Sequence, residues 1–510
     1  MQSNLLPNRS TSYWHESTEL PTFPTLTEEL RNIDVGIVGA GITGITLAYL
    51  LSKQGLKVCL IDAGLILNGT TGHTTAKITA QHGLIYDELI NHFGLEQAQL
   101  YYQANEDAKK FIQQTIQAHD IQCQFTKDDA YIYTNAKDYL EKLENEWKAY
   151  EQLHIQGEIS DRSHLPFAVK SIVKMNDQAH FNPVQYLKGL LDECSNNGVQ
   201  IYENTRALNI EYNKHPTIIT ERNRIFCRYI VQASHWPFYD GTGFYPTKMY
   251  ADRSYLIAAK VKKTMTEGMY INAELPPRTI RPIEINGENM LLLGGGSHKT
   301  GQSNGPMMKN YEEIAHFFDE HFGVEKVLYR WSAQDYITLD KIPYVGPVTK
   351  AQHNVFVATG YRKWGMTNGT NAALMIHDLI LEKENPYVEL FSPGRKLIVD
   401  PSIRKLITNN TDVAKHLVKG KLERANEDIN TLKNNEACIT KYDGQRVGVY
   451  KDNEGEIHAV DTTCTHMGCE VNWNNAENTW DCPCHGSRFT YTGDILEGPA
   501  VIPLKKINVK

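Results

Sequence analysis

The stretch from Asp34 to Asp62, DVGIVGAGITGITLAYLLSKQGLKVCLID, constrains the fold more than any other part of the chain. An apolar run enters Gly39-Ala40-Gly41-Ile42-Thr43-Gly44, a helix-like run leaves it, and a second apolar run ends at Asp62. The order is strand, turn, helix, strand, and each glycine has its own duty. Gly39 permits the tight turn, Gly41 lets backbone approach a pyrophosphate, and Gly44 lets the helix pack on the strand. Ile42 and Thr43 open the helix, whose N-terminal N–H groups face the phosphate charge. Asp62 is placed to accept hydrogen bonds from a ribose. A plain glycine turn in an ordinary α/β unit would not need all of these features together. Residues Val35 to Ser52 are uncharged and near membrane-spanning length. Their four glycines and two threonines instead read as a buried strand, turn and helix, so no transmembrane segment is expected.

The second constraint is CTHMGCEVNWNNAENTWDCPCHGSRF, from Cys464 to Phe489, which holds four cysteines and two histidines. The pattern Cys464-x-His466 is followed, after an interval, by Cys482-x-x-His485. Two Cys and two His can close a tetrahedral zinc site, or hold a [2Fe–2S] cluster in which two His replace two Cys on one iron. The N-terminus lacks a charged start followed by an apolar run, so no secretory signal is expected and the cytoplasm is the expected compartment. Thiols there stay mostly reduced, which favours metal binding over a disulfide framework.

The chain has 510 residues, a length that suits about three domains. With 41% hydrophobic and 22% charged residues it has an ordinary globular balance. Its net charge of −8 and lack of a basic block argue against a nucleic-acid partner. Residues 1 to 32 read as an irregular lead-in broken by Pro21 and Pro24. Long helices are expected from Tyr86 to about His119. Short β-like runs such as AYIYT, RYIVQAS, SYLIAAKV and MLLLGGG alternate with helical ones up to about Lys350. NVFVATG then reads as a strand and TNGTNAALMIHDLILE as a helix. Residues 401 to 424 read as a charged connecting helix, and the remainder as a small β-domain that relies on metal.

Residues 30 to 385 resemble the flavin-dependent amine and D-amino-acid oxidase superfamily, which includes glycine and sarcosine oxidases. The resemblance rests on the fingerprint and on GTTGHTTAKIT (69–79), HFNPVQYLKGL (180–190), WSAQDYITLDKIPYVGP (331–347) and VFVATGYRKWGMTNGTNAA (355–373). It implies an α/β Rossmann-like FAD-binding domain interleaved with an α+β substrate domain over residues 30–400. The FAD-binding parts would be roughly 30–85, 155–240 and 335–385. By position, Gly72, His73, Thr74 and Thr75 would lie along the pyrophosphate and flavin, and Ala207 beside the adenine. Gly360, Gly365, Met366 and Thr367 would contact the flavin. A second GxGxxG is missing, since GGGSHKTG (294–301) lacks the spacing, and this argues against a pyridine-nucleotide ferredoxin reductase.

Residues 425 to 510 resemble the Rieske family: the C-x-H and C-x-x-H pairs are followed by GS and then GDILEGPA. The resemblance implies a small all-β domain in which Cys464 and Cys482 bind one iron and His466 and His485 the other. Gly498-Pro499-Ala500 would form a third, shielding loop. Cys469 and Cys484 match the cysteine pair that bridges the cluster loops in respiratory and photosynthetic Rieske proteins. The alternative for them is two buried free thiols. Ser487 matches a serine that donates to a cluster sulfur. Phe489 stands where high-potential relatives have a tyrosine, so the expected potential lies below theirs.

The arrangement resembles bacterial fused flavin oxidoreductase and Rieske proteins. The expected function is an FAD-dependent dehydrogenase or oxidase of an amine or amino acid-like substrate. A hydride would pass to FAD, and electrons singly to the cluster and on to an external acceptor protein or quinone. Amino-acid-oxidising relatives often clamp the carboxylate with an Arg where this chain has Asp335. That Asp can pair with a cationic amine or serve as a surface or capping residue. His73, Tyr361, Arg362 and Lys363 are further candidates for the active site, and Arg253 and Tyr255 are either lining residues or ordinary strand residues. No catalytic base stands out, because hydride transfer needs an oriented neutral amine more than a strong base. Rival readings are an electron-transfer or redox-sensing protein without its own substrate, a zinc-bearing docking module, and tRNA modification, which the acidic charge opposes.

Overall fold

Parallel pairing gathers the fingerprint and its neighbours at one edge of a sheet. In the computed structural model, which describes residues 5–212, 215–302, 305–395, 408, 410–417 and 428–509, the strand Leu30–Val38 lies between Val58–Ile61 and Arg224–Gln232. Both pairings are parallel, with Val38 opposite Ile61 on one side and Gln232 on the other. Val355–Thr359 runs parallel on the far side of Arg224–Gln232. The carboxyl ends of four strands therefore deliver Gly39, Asp62, Ala233 and Gly360 to a common edge, where ligands of open α/β sheets bind. The helix Ile42–Ser52 leaves that edge and is buried on nearly every side, as its uncharged, largely apolar composition requires.

A second, nine-stranded sheet carries two long antiparallel strands, Met249–Val261 and Val324–Thr338, with the latter at the edge. Side chains alternate across a strand. Ala251 and Arg253 thus share a face with Ser332, Gln334 and Tyr336, while Asp252 and Asp335 share the other. The helices Tyr86–Phe93 and Leu95–Ala118 match the expected helical stretch. The lead-in departs from its irregular reading. Ser12 caps a one-turn helix, Tyr13–Glu16, and Trp14 is 1% exposed with its indole N–H donating to Thr74 O at 2.8 Å. Tyr13 and Trp14 are fixed by distant contacts, which local periodicity does not register.

The C-terminal part is all β. Strands Glu436–Tyr442, Gln445–Lys451 and Ile457–Asp461 form one antiparallel sheet, and Asn472–Asn474, Thr479–Asp481, Arg488–Thr490 and Ile495–Glu497 a second. Trp480 ties them together: a Cβ on Gly448 would stand 2.6 Å from its ring, so only glycine admits the indole there. Of the expected connector, residues 408 and 410–417 are helical, and the remainder lies outside the described residues. Among the described residues, no helix is long and apolar enough to cross a membrane.

Candidate active site and metal centre

The shared sheet edge opens into a cavity of about 1730 Å³. Gly39, Gly41, Ile42, Thr43 and Asp62 line it, as do His73, Thr74, Thr75, Ala207, Gly365 and Met366. Gly39 sits at φ 106°, and a Cβ there would lie 2.4 Å from Ala233 O, so the turn demands glycine. Gly41 caps the following helix with no side-chain bond, leaving that end turned to the cavity. Asp62 accepts from Ala40 N at 2.8 Å and Gly64 N at 3.0 Å, which fixes its carboxylate at the rim. A glycine-lined helix terminus, a fixed carboxylate and a large cavity suit a dinucleotide.

Gly44 packs as expected, and three of the expected contacts, Gly72, Gly360 and Thr367, do not line the cavity. A Cβ on Gly44 would fall 1.9 Å from Gly39 O, so this glycine serves helix–strand packing. Gly72 faces the lead-in, where a Cβ would strike His15 at 2.1 Å. Gly360 packs on the Thr338 methyl group, and Thr367 donates to Thr79 O at 3.0 Å.

Asp335, Tyr361, Arg362 and Lys363 all reach the cavity. Tyr361 shares a 2.8 Å hydrogen bond with Thr43 Oγ1. Arg362 donates to His82 O at 2.6 Å, which holds its guanidinium in the loop rather than free as an anion clamp. Lys363 pairs with Asp252 at 2.5 Å and also hydrogen-bonds Ser297. Asp335 is buried, and burial pushes its carboxyl above the ordinary range while His235 and Lys363 oppose the shift. His73 bonds its own loop through Nδ1 and Gly69 O at 2.9 Å.

The C-terminal donor set is compact. Cys464 and Cys482 are buried, unbridged thiols that act on each other, Cys464 drawn down and Cys482 pushed up in pKa. The rings of His466 and His485 stand 5.0 Å apart. Each loop is closed by its own turn, through Gly468 N to Cys464 O at 2.9 Å and Gly486 N to Cys482 O at 3.1 Å. Burial pushes both imidazoles down to about 4, which keeps them neutral and able to ligate. His485 Nδ1 is buried with no hydrogen-bond partner. An orphaned ring nitrogen beside two buried thiols fits a metal-ligand role. Cys469 and Cys484 form a disulfide joining the two loops. Ser487 Oγ accepts from Ala500 N at 3.0 Å, and its hydroxyl helps draw the Cys464 thiol down in pKa. The third loop is thereby tied to the donor set.

The two centres are interlocked. Gln334 Nε2 donates to Gly486 O at 2.9 Å, and Tyr336 OH to Gly498 O at 2.9 Å. A Cβ on Gly486 would meet Ala251 Cβ at 2.4 Å, so the loop lies directly on the long strands. The turn after Asn472–Asn474 inserts Ala476 into the substrate-domain core, and Arg330 Nη1 donates to its carbonyl at 3.1 Å. Beside it Glu477 receives Arg253, Ser332 and, at 2.6 Å, Arg488. Arg488 also pairs with Asp481 at 3.1 Å and Glu497 at 2.7 Å. Sequence reasoning missed Glu477, Arg488, Gln334 and Trp236. The one available signal for Trp236 was its place just after a strand that ends at the nucleotide edge.

A dinucleotide cavity abutting a two-Cys, two-His centre defines a protein with two redox groups. Residues 34–379 match the FAD dependent oxidoreductase family, and residues 425–508 the Rieske [2Fe-2S] domain. The putative Rieske 2Fe-2S iron-sulfur protein YhfW of Bacillus subtilis (strain 168) is 46% identical over 499 residues, 98% of this chain and 97% of that one. Gamma-glutamylputrescine oxidoreductase of Escherichia coli (strain K12) is 22% identical over 388 residues, 73% of this chain and 88% of the relative. Glycine oxidase from Geobacillus kaustophilus superposes with a TM-score of 0.60 at 16% identity, over 71% of this chain and 99% of that one. The chain belongs to the FAD dependent oxidoreductase family and carries a C-terminal Rieske domain. Its cofactors are FAD and a [2Fe–2S] cluster, and it is an FAD-dependent oxidoreductase.

Proposed function

We propose that the protein oxidises an amine or amino acid-like substrate in the cytoplasm and exports the electrons one at a time to an external protein or quinone. FAD accepts two electrons as a hydride when bound, and a [2Fe–2S] cluster takes one. The observation that carries the reading is the seating of the Cys482–Ser487 loop on strands Met249–Val261 and Val324–Thr338, whose opposite face presents Asp252 and Asp335 to the cavity. Gln334 and Tyr336, which bond the cluster-domain loops from the near face, line the cavity as well, so the cluster domain borders it directly.

The cofactor roles follow position. Gly39, Gly41, Ile42, Thr43 and Asp62 would hold the adenosine and pyrophosphate end, and His73, Thr74, Thr75, Gly365 and Met366 the flavin end. Cys464, Cys482, His466 and His485 would ligate the iron. Lys363 is neutralised by Asp252 and Arg362 is held by His82, so neither is a free anion clamp. Asp335 offers the buried carboxylate that a cationic amine would seek. Enclosure inside the cluster loops protects the Cys469–Cys484 disulfide in a reducing compartment.

An anaerobic screen of amines and amino acids against the FAD- and iron-loaded protein tests this reading. A true substrate bleaches the flavin band and also generates the reduced-cluster paramagnetic signal. A substrate that bleaches flavin while the loaded cluster stays oxidised contradicts electron export.

A further inference from the structure

One aromatic side chain of the flavin-binding part touches both cluster histidines. The ring centroid of Trp236 lies 6.1 Å from that of His466 and 6.2 Å from that of His485. The same indole lies 4.8 Å from Tyr336, which stands 4.7 Å from His235, and all three line the nucleotide cavity. Trp236 is 5% exposed. Its loop is locked: Trp236 N donates to Ser234 O at 2.7 Å, and Ser234 Oγ donates to Trp236 O at 2.7 Å. Thr359 Oγ1 donates to His235 O at 2.5 Å, and Thr70 Oγ1 meets His235 Nδ1 at 3.1 Å, tying this loop to two cavity walls. Among the described residues, no other ring of the flavin-binding part contacts either histidine.

We propose that Trp236 is the coupling residue between the cavity and the cluster, filling with bonded aromatic atoms the gap an electron must cross. The inference rests on the electron-export reading and names the residue that serves it. Electronic coupling falls exponentially across a gap, and more steeply through empty space or loose contact than through bonded atoms. An indole packed against both histidines shortens the through-space part of the route to single van der Waals steps. Each transfer takes one iron from ferric to ferrous; the electron comes from reduced flavin, whose proton passes to water. An external one-electron carrier reoxidises the iron before the second transfer. A merely space-filling Trp236 would affect the docking of the two domains and leave the rate unchanged once docking was intact.

The test is flash photoreduction of the holoprotein with deazaflavin as electron source, following flavin and cluster absorbance in wild type, Trp236→Phe and Trp236→Leu. Flavin content, the paramagnetic spectrum of the reduced cluster and its midpoint potential are measured alongside. Trp236→Leu is expected to slow flavin-to-cluster equilibration by an order of magnitude or more with spectrum and potential unchanged, and Trp236→Phe to retain most of the rate. Where Trp236→Leu loses its cluster, Trp236→Met, which keeps a long side chain without a ring, carries the same comparison. An unchanged rate in a ring-less variant that holds its cluster overturns the proposal. No equilibration in the fully loaded wild type would instead show that the electron-export reading itself is wrong, and the proposal falls with it.

Discussion

Replacing Glu477 with Gln should loosen the seat of the cluster domain by about 3 kcal/mol. Glu477 lies on the turn that enters the substrate domain and is met by Arg253 from one domain and Arg488 from its own. Burial works against its charge, yet the two guanidinium groups hold its carboxyl down to about 2 from an ordinary 4.5. That fall is worth about 3 kcal/mol to the folded protein at neutral pH, shared between docking through Arg253 and the cluster domain's own Arg488. Breaking a buried pair from one side costs about 3–5 kcal/mol. The low end applies here, because Arg488 keeps Asp481 and Glu497. The sign follows from a depressed acid: the contribution is whole above about pH 4.5 and is lost as pH falls toward about 2. Hydrogen exchange is the assay. In Glu477→Gln the amides of 249–261, 324–338 and 479–490 should exchange about a hundredfold faster at pH 7. The gap from wild type should narrow below about pH 4.5. Equal protection of these segments in both proteins at neutral pH would refute the reasoning.

Three further outcomes are expected. Cys469→Ala with Cys484→Ala opens a loop of 15 residues and should destabilise the C-terminal domain by about 3 kcal/mol in denaturant unfolding. Ser487→Ala removes the hydroxyl that favours the Cys464 thiolate and should lower the cluster's midpoint potential in a redox titration without removing the iron. Asp335→Asn should raise KM for a cationic amine by about tenfold to a hundredfold, from the loss of about 1.5–3 kcal/mol of charged hydrogen bonding, with a smaller effect on kcat.

Local chemistry was readable in the sequence, and its assembly was not. The fingerprint from Gly39 to Asp62 and the spacing of Cys464, His466, Cys482 and His485 are short-range patterns whose geometry the neighbouring backbone dictates. The reading of Gly44 as a packing glycine holds for the same reason. Gly72 lies away from the cavity because a distant residue, His15, claims its open face. The lead-in is ordered beyond what its local pattern shows, because Trp14 and Tyr13 are buried by segments far along the chain. Interdomain pairs such as Arg253 with Glu477 and Gln334 with Gly486 join residues more than 150 positions apart. Nothing periodic announces such a pair. Arg253 reads from the sequence as an ordinary strand residue or a lining one, and its strand position does not announce that its partner lies on a cluster-domain turn.

The central claim is that Cys464, His466, Cys482 and His485 hold a redox cluster beside the flavin. Low-temperature electron paramagnetic resonance on purified protein, reduced anaerobically with dithionite and paired with metal analysis, addresses it directly. The account predicts a Rieske-type [2Fe–2S] signal with iron in step with cluster content, lost in His485→Ala while the flavin is retained. Zinc in place of iron, with no such signal, would contradict it.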